Sequence, residues 1–159
     1  MILTQDLNDA LNEQVVKEYQ NMLIYKKIES YFEEMELPNL AKFFHKQADE
    51  EDGHAKEFIN YINSRVGGKV KIGEIPSPEK ISIDSANSVG DIYLRLEQET
   101  TESIEEIYEL ALSQRSYIDL PYLSNMLKEQ VIEEDEALSF KKRFEMVKDL
   151  VLFDATLEV

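Results

Sequence analysis

Cysteine and tryptophan are absent from this 159-residue chain. Without cysteine there is no disulfide, thiolate zinc site, iron–sulfur cluster or covalently attached haem. Any metal must be held by carboxylate, imidazole, amide or phenol groups, a donor set suited to hard or borderline ions. Glycine and proline are scarce, with five and four copies gathered at a few points, so long stretches run unbroken. Basic residues are the minority, 17 against 33 acidic, and the net charge is −16. Such a balance argues against nucleic acid or an anionic membrane as partner and favours attraction of cations. No apolar run approaches the ~18 residues of a membrane span. The start, Met1-Ile-Leu-Thr-Gln-Asp6, has no basic segment before Lys17. A cytoplasmic protein is expected.

What is present is helical periodicity in a chain long enough for one domain, residues 1–159, with its own core. From about Thr4 to Met35, Leu7, Leu11, Val15, Met22, Tyr25 and Phe32 recur at spacings of three and four. Pro38 suits the first turn of a second helix, whose stripe is Ala41, Phe44, Ala48, Ala55, Phe58 and Ile62 and whose end is Gly67-Gly68. Residues 69 to about 87, with Pro76, Pro78 and several isoleucines, read as extended. A third helix is expected over about Ser88–Ser113, with Val89, Tyr93, Leu96, Ile104, Ile107 and Ala111 inward. A fourth, capped by Asp119, should reach about Val147, with Leu123, Met126, Ala137, Phe140 and Phe144 inward. The architecture implied is all-α, a four-helix bundle of two hairpins joined by one long crossover.

Each apolar stripe is interrupted near its middle. Glu18 lies between Val15 and Met22, and Glu51 between Ala48 and Ala55, with His54 one turn further at the stripe's edge. Glu97 falls among Tyr93, Thr100 and Ile104, and both Gln130 and Glu133 fall between Met126 and Ala137. One such residue usually means a misread face or a snorkelling side chain. One break per helix, all at one level, places four carboxylates in a low-dielectric centre. Burying an unpaired carboxylate costs several kcal/mol, so the cluster makes sense if cations neutralise it. In Glu51-x-x-His54 the spacing puts both side chains on one face, within reach of one ion.

Leu11-Asn-Glu-Gln14 followed by Glu18 and Tyr25 resembles the first helix of non-haem bacterial ferritins. Gln47-Ala-Asp-Glu-Glu-Asp-Gly-His-Ala55, Thr101-Glu-Ser-Ile104 and Glu129-Gln-Val-Ile-Glu133 resemble the other three, over about residues 5–147. The resemblance implies iron storage with ferroxidase activity. Two irons per chain would bind, the first at Glu18, Glu51 and His54, the second at Glu97 and Glu133 with Glu51 as bridge. Gln130 would lie nearby, and Tyr25 would be a hydrogen-bond partner or electron donor. Fe(II) and O2 or H2O2 are the implied reactants. A homo-oligomer is expected, built from dimers whose crossovers pack across a two-fold axis.

Some positions depart from the family. Only about 12 residues follow Val147, so the usual fifth helix should be short or absent, which leaves a 24-subunit cage open. Glu50 and Glu129 match carboxylates of a third iron site, but Ile132 stands where a further one belongs, so that site should be weak. Asp52 occupies the haem-ligating position of bacterioferritins, and no haem is expected. His45 reads as a surface histidine, and Glu99, Glu102, Glu105, Glu106 and Glu109 as a solvated face. Two other readings stay open. One is a rubrerythrin-type di-iron or di-manganese oxidoreductase, which Gln130-x-x-Glu133 in place of a second Glu-x-x-His disfavours. The other is an acidic helical module that binds a protein.

Overall fold

A computed structural model describes residues Met1–Val159. It contains helices α1 (Gln5–Glu34), α2 (Pro38–Ser64), α3 (Val89–Ser113), α4 (Leu120–Met146) and α5 (Leu150–Thr156), with two short 3-10 turns between α2 and α3. There is no strand. Thr4 caps α1 by accepting from the Leu7 amide at 3.3 Å. Pro38 occupies the first turn of α2, where its missing N–H costs nothing. That helix stops at Ser64, slightly before the glycines. Gly67 has φ +82°, and a Cβ on Gly68 would fall 1.9 Å from the Ile62 carbonyl oxygen, so the chain can turn away closely there only with glycine.

Asp119 sits at the cap position of α4 but does not cap it, contrary to the sequence reading. Its backbone is already helical, and its carboxylate is held by Arg65 Nε at 2.6 Å, by Ser116 Oγ at 2.5 Å and by the Tyr61 hydroxyl. A buried charge pair therefore ties the end of α2 to the start of α4.

The crossover, residues 65–88, runs back along α1 rather than over open solvent. Asn8 and Asn12 are buried on α1 and take the place of a neighbouring strand for it. Asn8 Oδ1 accepts from Lys69 N at 2.8 Å, Asn12 Oδ1 accepts from Lys71 N at 2.6 Å, and Asn12 Nδ2 donates to Lys69 O at 2.9 Å. Further along, Lys27 Nζ donates to Ile81 O at 2.6 Å. Ile81 and Ile83 pack partly buried on the chain's own core, while Ile72 is exposed. Because the crossover returns the chain to the far end, α2 and α3 are parallel, and both oppose α1.

The apolar interior is two clusters rather than one. The first is aromatic, with Tyr25, Phe32, Phe44, Tyr93, Phe140, Phe144 and Phe153. The second is mainly aliphatic, with Leu7, Leu11, Val15, Ile62, Ile104 and Leu123 around Phe58. The fifth helix is short, and it closes the aromatic end. Phe153 meets Phe144 edge-on at 5.1 Å between ring centroids. Asp154 Oδ1 accepts from the Leu40 amide at 2.7 Å, supplying the cap that Leu37 cannot give α2.

Candidate metal centre

The layer between the two clusters is polar. Glu18, Glu51, Glu97 and Gln130 are each at most 2% exposed, so the four helices do direct these side chains inward. Glu133 is only partly buried, although its Oε2 is fully enclosed. Ligand atoms of Glu18, Glu51 and His54 lie within 4.8 Å of one another. His54 Nδ1 is 3.5 Å from Glu51 Oε1 and 4.0 Å from Glu18 Oε2. The i, i+3 spacing does what helix geometry requires of it.

Glu97 has hydrogen-bond partners of its own. Tyr25 Oη donates to its Oε1 at 2.5 Å, and Gln130 Nε2 donates to its Oε2 at 3.3 Å. Gln14 Nε2 donates to Glu18 Oε1 at 3.0 Å and is itself fixed by Ser103 Oγ at 2.8 Å. Asn21 Nδ2 donates to Thr100 Oγ1 at 2.9 Å on the same seam between α1 and α3. In the sequence Gln14 belongs to a motif but shows no role of its own. The sign that could have given it one is its place four residues before Glu18, one turn away on the same face.

Glu18 Oε2, Glu51 Oε2 and Glu133 Oε2 are buried and receive no hydrogen bond from the protein. Their electrostatics reflect this. Burial, opposed by hydrogen bonding and reinforced by the charges of Glu97 and Glu133, lifts Glu51 to about 8. Burial together with Glu97 and Glu50 lifts Glu133 to about 8 as well. Glu18 is raised well above the ordinary range by burial and by the Glu51 charge, and burial raises Glu97 despite the Tyr25 and Gln130 donors. Burial thus favours the protonated forms in this layer, and positive charge there would relieve the strain. Divalent cations displacing those protons fit this donor set, which contains only carboxylate oxygen and imidazole nitrogen.

The residues matched to a third site are not gathered into a comparable cluster. Glu129 Oε2 is 3.6 Å from His54 Nε2, with a side chain 48% exposed. Glu50 is partly buried, 3.9 Å from Lys46, and its charge is among those that raise Glu133. Ile132 is 60% exposed and offers no oxygen. His45 is a surface histidine, 3.0 Å from Glu29, and the α3 acidic series is exposed throughout. By sequence Tyr93 falls on an apolar stripe and Gln47 within a motif. Tyr93 Oη and Gln47 Oε1 are buried polar atoms without protein partners, which the sequence does not signal beyond their lying four residues before Glu97 and Glu51.

A fold of this topology around a carboxylate–histidine centre defines a class, and the comparisons agree with it: the chain belongs to the ferritin family, whose ferritin-like domain model matches residues 8–147. Among named relatives, the bacterial non-heme ferritin of Staphylococcus haemolyticus is 32% identical over 133 residues, covering 84% of this chain and 79% of the relative. That of Staphylococcus aureus is 32% identical over the same shares. Among solved structures, the open pore ferritin of the hyperthermophilic archaeon Archaeoglobus fulgidus superposes with a TM-score of 0.89 at 25% identity. That superposition covers 98% of this chain and 96% of the other. No helix is long and apolar enough to cross a membrane.

Proposed function

We propose that this chain is an iron-storage subunit that oxidises Fe(II) to Fe(III) at the carboxylate layer and passes the product on for storage as mineral. The observation that supports it most is the set of three buried carboxylate oxygens without protein partners, beside His54, in a layer that four helices converge on. Iron is here the substrate. Glu18, Glu51 and His54 would receive the first Fe(II). Glu51 would bridge to a second, completed by Glu97 and Glu133, with Gln130 holding a water beside it. Each Fe(II) gives one electron to O2 or H2O2. The chain's part is to bind, to release carboxyl protons as iron arrives, and to keep bulk water out. Tyr25, hydrogen-bonded to Glu97, would steady that carboxylate or supply a further electron. Glu50 and Glu129 give at most a weak third site. The relatives' names speak for storage and against haem. The subunit is read as part of a homo-oligomer built on dimers.

Anaerobic Fe(II) titration tests the reading. Two tight equivalents per chain are expected, with a third weak or missing, and aerobic addition should then give the absorbance of Fe(III). Three equally tight equivalents would overturn the account of the third site, and no tight binding would overturn the function.

A further inference from the structure

Two carboxylates of the proposed iron layer are steadied by neighbours. Gln14 donates to Glu18, and Tyr25 and Gln130 donate to Glu97. His54 is the one nitrogen ligand, and its ring has two nitrogens to place. Nδ1 faces the layer, 3.5 Å from Glu51 Oε1 and 4.0 Å from Glu18 Oε2. Nε2 has a single carboxylate within 4.0 Å, Glu129 Oε2 on α4, at 3.6 Å. In the sequence His54 stands at the edge of the α2 stripe, and Glu129 stands just before the inward Gln130. The bundle therefore brings together two edge residues, one from α2 and one from α4.

The two nitrogens have different work to do. A neutral imidazole offers a lone pair on one nitrogen and a proton on the other. For Nδ1 to bind a cation beside Glu18 and Glu51, the proton must sit on Nε2. A metal-bound histidine as a rule donates that proton to an oxygen outside the metal's own ligand set. At 3.6 Å Glu129 stands beyond hydrogen-bond length, and its half-exposed side chain is free to close to ~2.8 Å, the length of a charge-assisted bond. Unlike Glu18 and Glu51, Glu129 belongs to no gathered set of three ligand atoms.

We infer that Glu129 is a positioning residue of the centre: its carboxylate accepts the Nε2–H of His54 and so presents the Nδ1 lone pair to the Fe(II) that Glu18 and Glu51 receive. The inference rests on the iron-binding reading of those three residues. It gives Glu129 a part in the first iron's site, where the family resemblance suggested a ligand of a third. Glu129 acts through the ring and does not touch the ion. It limits ring rotation, keeps the proton off Nδ1, and raises the basicity with which Nδ1 meets the cation.

Zn(II) binding and 15N-histidine NMR test it without iron chemistry. The chain has only two histidines, surface His45 and His54, so their signals are readily told apart. In the Zn(II)-loaded parent, His54 should carry its proton on Nε2, with the proton signal displaced downfield by a carboxylate acceptor. Glu129→Ala should lose that displacement and weaken the first Zn(II) equivalent by about 10–100-fold. Glu129→Gln keeps an acceptor oxygen without the charge and should recover part of both. Glu57→Gln removes a charge from an exposed position one turn after His54, and should change the first equivalent by no more than about twofold. A Glu129→Ala protein that binds the first equivalent like the parent, its Nε2 proton signal unmoved, would overturn the proposal. An equal loss in Glu57→Gln would overturn it as well, because charge alone would then explain the effect. Loss confined to a third equivalent would overturn it and make Glu129 a ligand. The expected Zn(II) results in a protein that oxidises no Fe(II) would uphold the role of Glu129 and end the iron-oxidising reading instead.

Discussion

The aromatic end of the bundle and the carboxylate layer beneath it lie within one set of helices yet obey opposite rules. At the aromatic end, Phe44 touches the rings of Tyr25, Phe32, Phe43, Tyr93 and Phe140 at centroid distances of 5.1 to 6.0 Å. The ring carbons there gain from leaving water. One turn away, Glu18, Glu51 and Glu133 have left water with oxygens unsatisfied. The fold tolerates the second region because the first and its aliphatic counterpart offset it. The difference teaches that stability and the proposed function belong to separate layers, so mutations should sort by layer.

The largest expected effect breaks the strong layer. Phe44→Ala should cost ~3–5 kcal/mol, through lost burial and a cavity that the surrounding rings cannot close. Urea unfolding of the metal-free protein checks it. A loss below ~1 kcal/mol would mean that the aromatic cluster does not carry the stability assigned to it.

A smaller effect sharpens how the aromatic end is closed. Asp154→Ala should cost ~1 kcal/mol, because the α2 amides lose the only side chain that caps them. Hydrogen exchange should then rise at Leu40 and across α5. Exchange unchanged at Leu40 would show that the cap is idle.

The smallest effect lies at the edge of the polar layer. A Cβ at Gly53 meets nothing within 4 Å, and its φ is not positive. Gly53→Ala should therefore raise stability, by up to ~1 kcal/mol from helix propensity. A drop in the melting temperature would reveal a contact at that face outside this single chain.

Much of this division was legible in the residues. The apolar stripes, the inward Glu18, Glu51, Glu97 and Gln130, and the Glu51–His54 spacing all follow from a period of 3.6, which the helices keep over their full length. Pro38 and the glycines after α2 marked boundaries to within a few residues. The long-range partners were not legible. Nothing local tells that Asp119 pairs with Arg65 instead of capping α4, or that Asp154 reaches back to Leu40. Asn8 and Asn12 look like ordinary polar helix positions until the crossover lies on them. Tyr93 fits an apolar stripe because its ring belongs there, and only three dimensions reveal that its hydroxyl is stranded.

The central claim is that the carboxylate layer is unfavourable until cations fill it, and Glu51→Gln measures it most directly. Glu51 and Glu133 both titrate near 8 in the folded chain, against ~4.3 when unfolded. Raised carboxyl values mean that the unfolded chain releases its protons first. Stability of the metal-free protein is therefore full below about pH 4.3 as far as these groups are concerned, and falls as pH rises towards about 8. Glutamine at position 51 removes one titratable charge and keeps the shape. The measurement is thermal unfolding of both proteins from pH 5 to 8, with and without Zn(II). The account expects Glu51→Gln to flatten the pH dependence, to be at least as stable as the parent without metal at pH 7, and to lose most of the stabilisation that Zn(II) gives the parent. A metal-free variant less stable than the parent by ~1–3 kcal/mol, with Zn(II) immaterial to both, would contradict it and make Glu51 an ordinary hydrogen-bonded core residue.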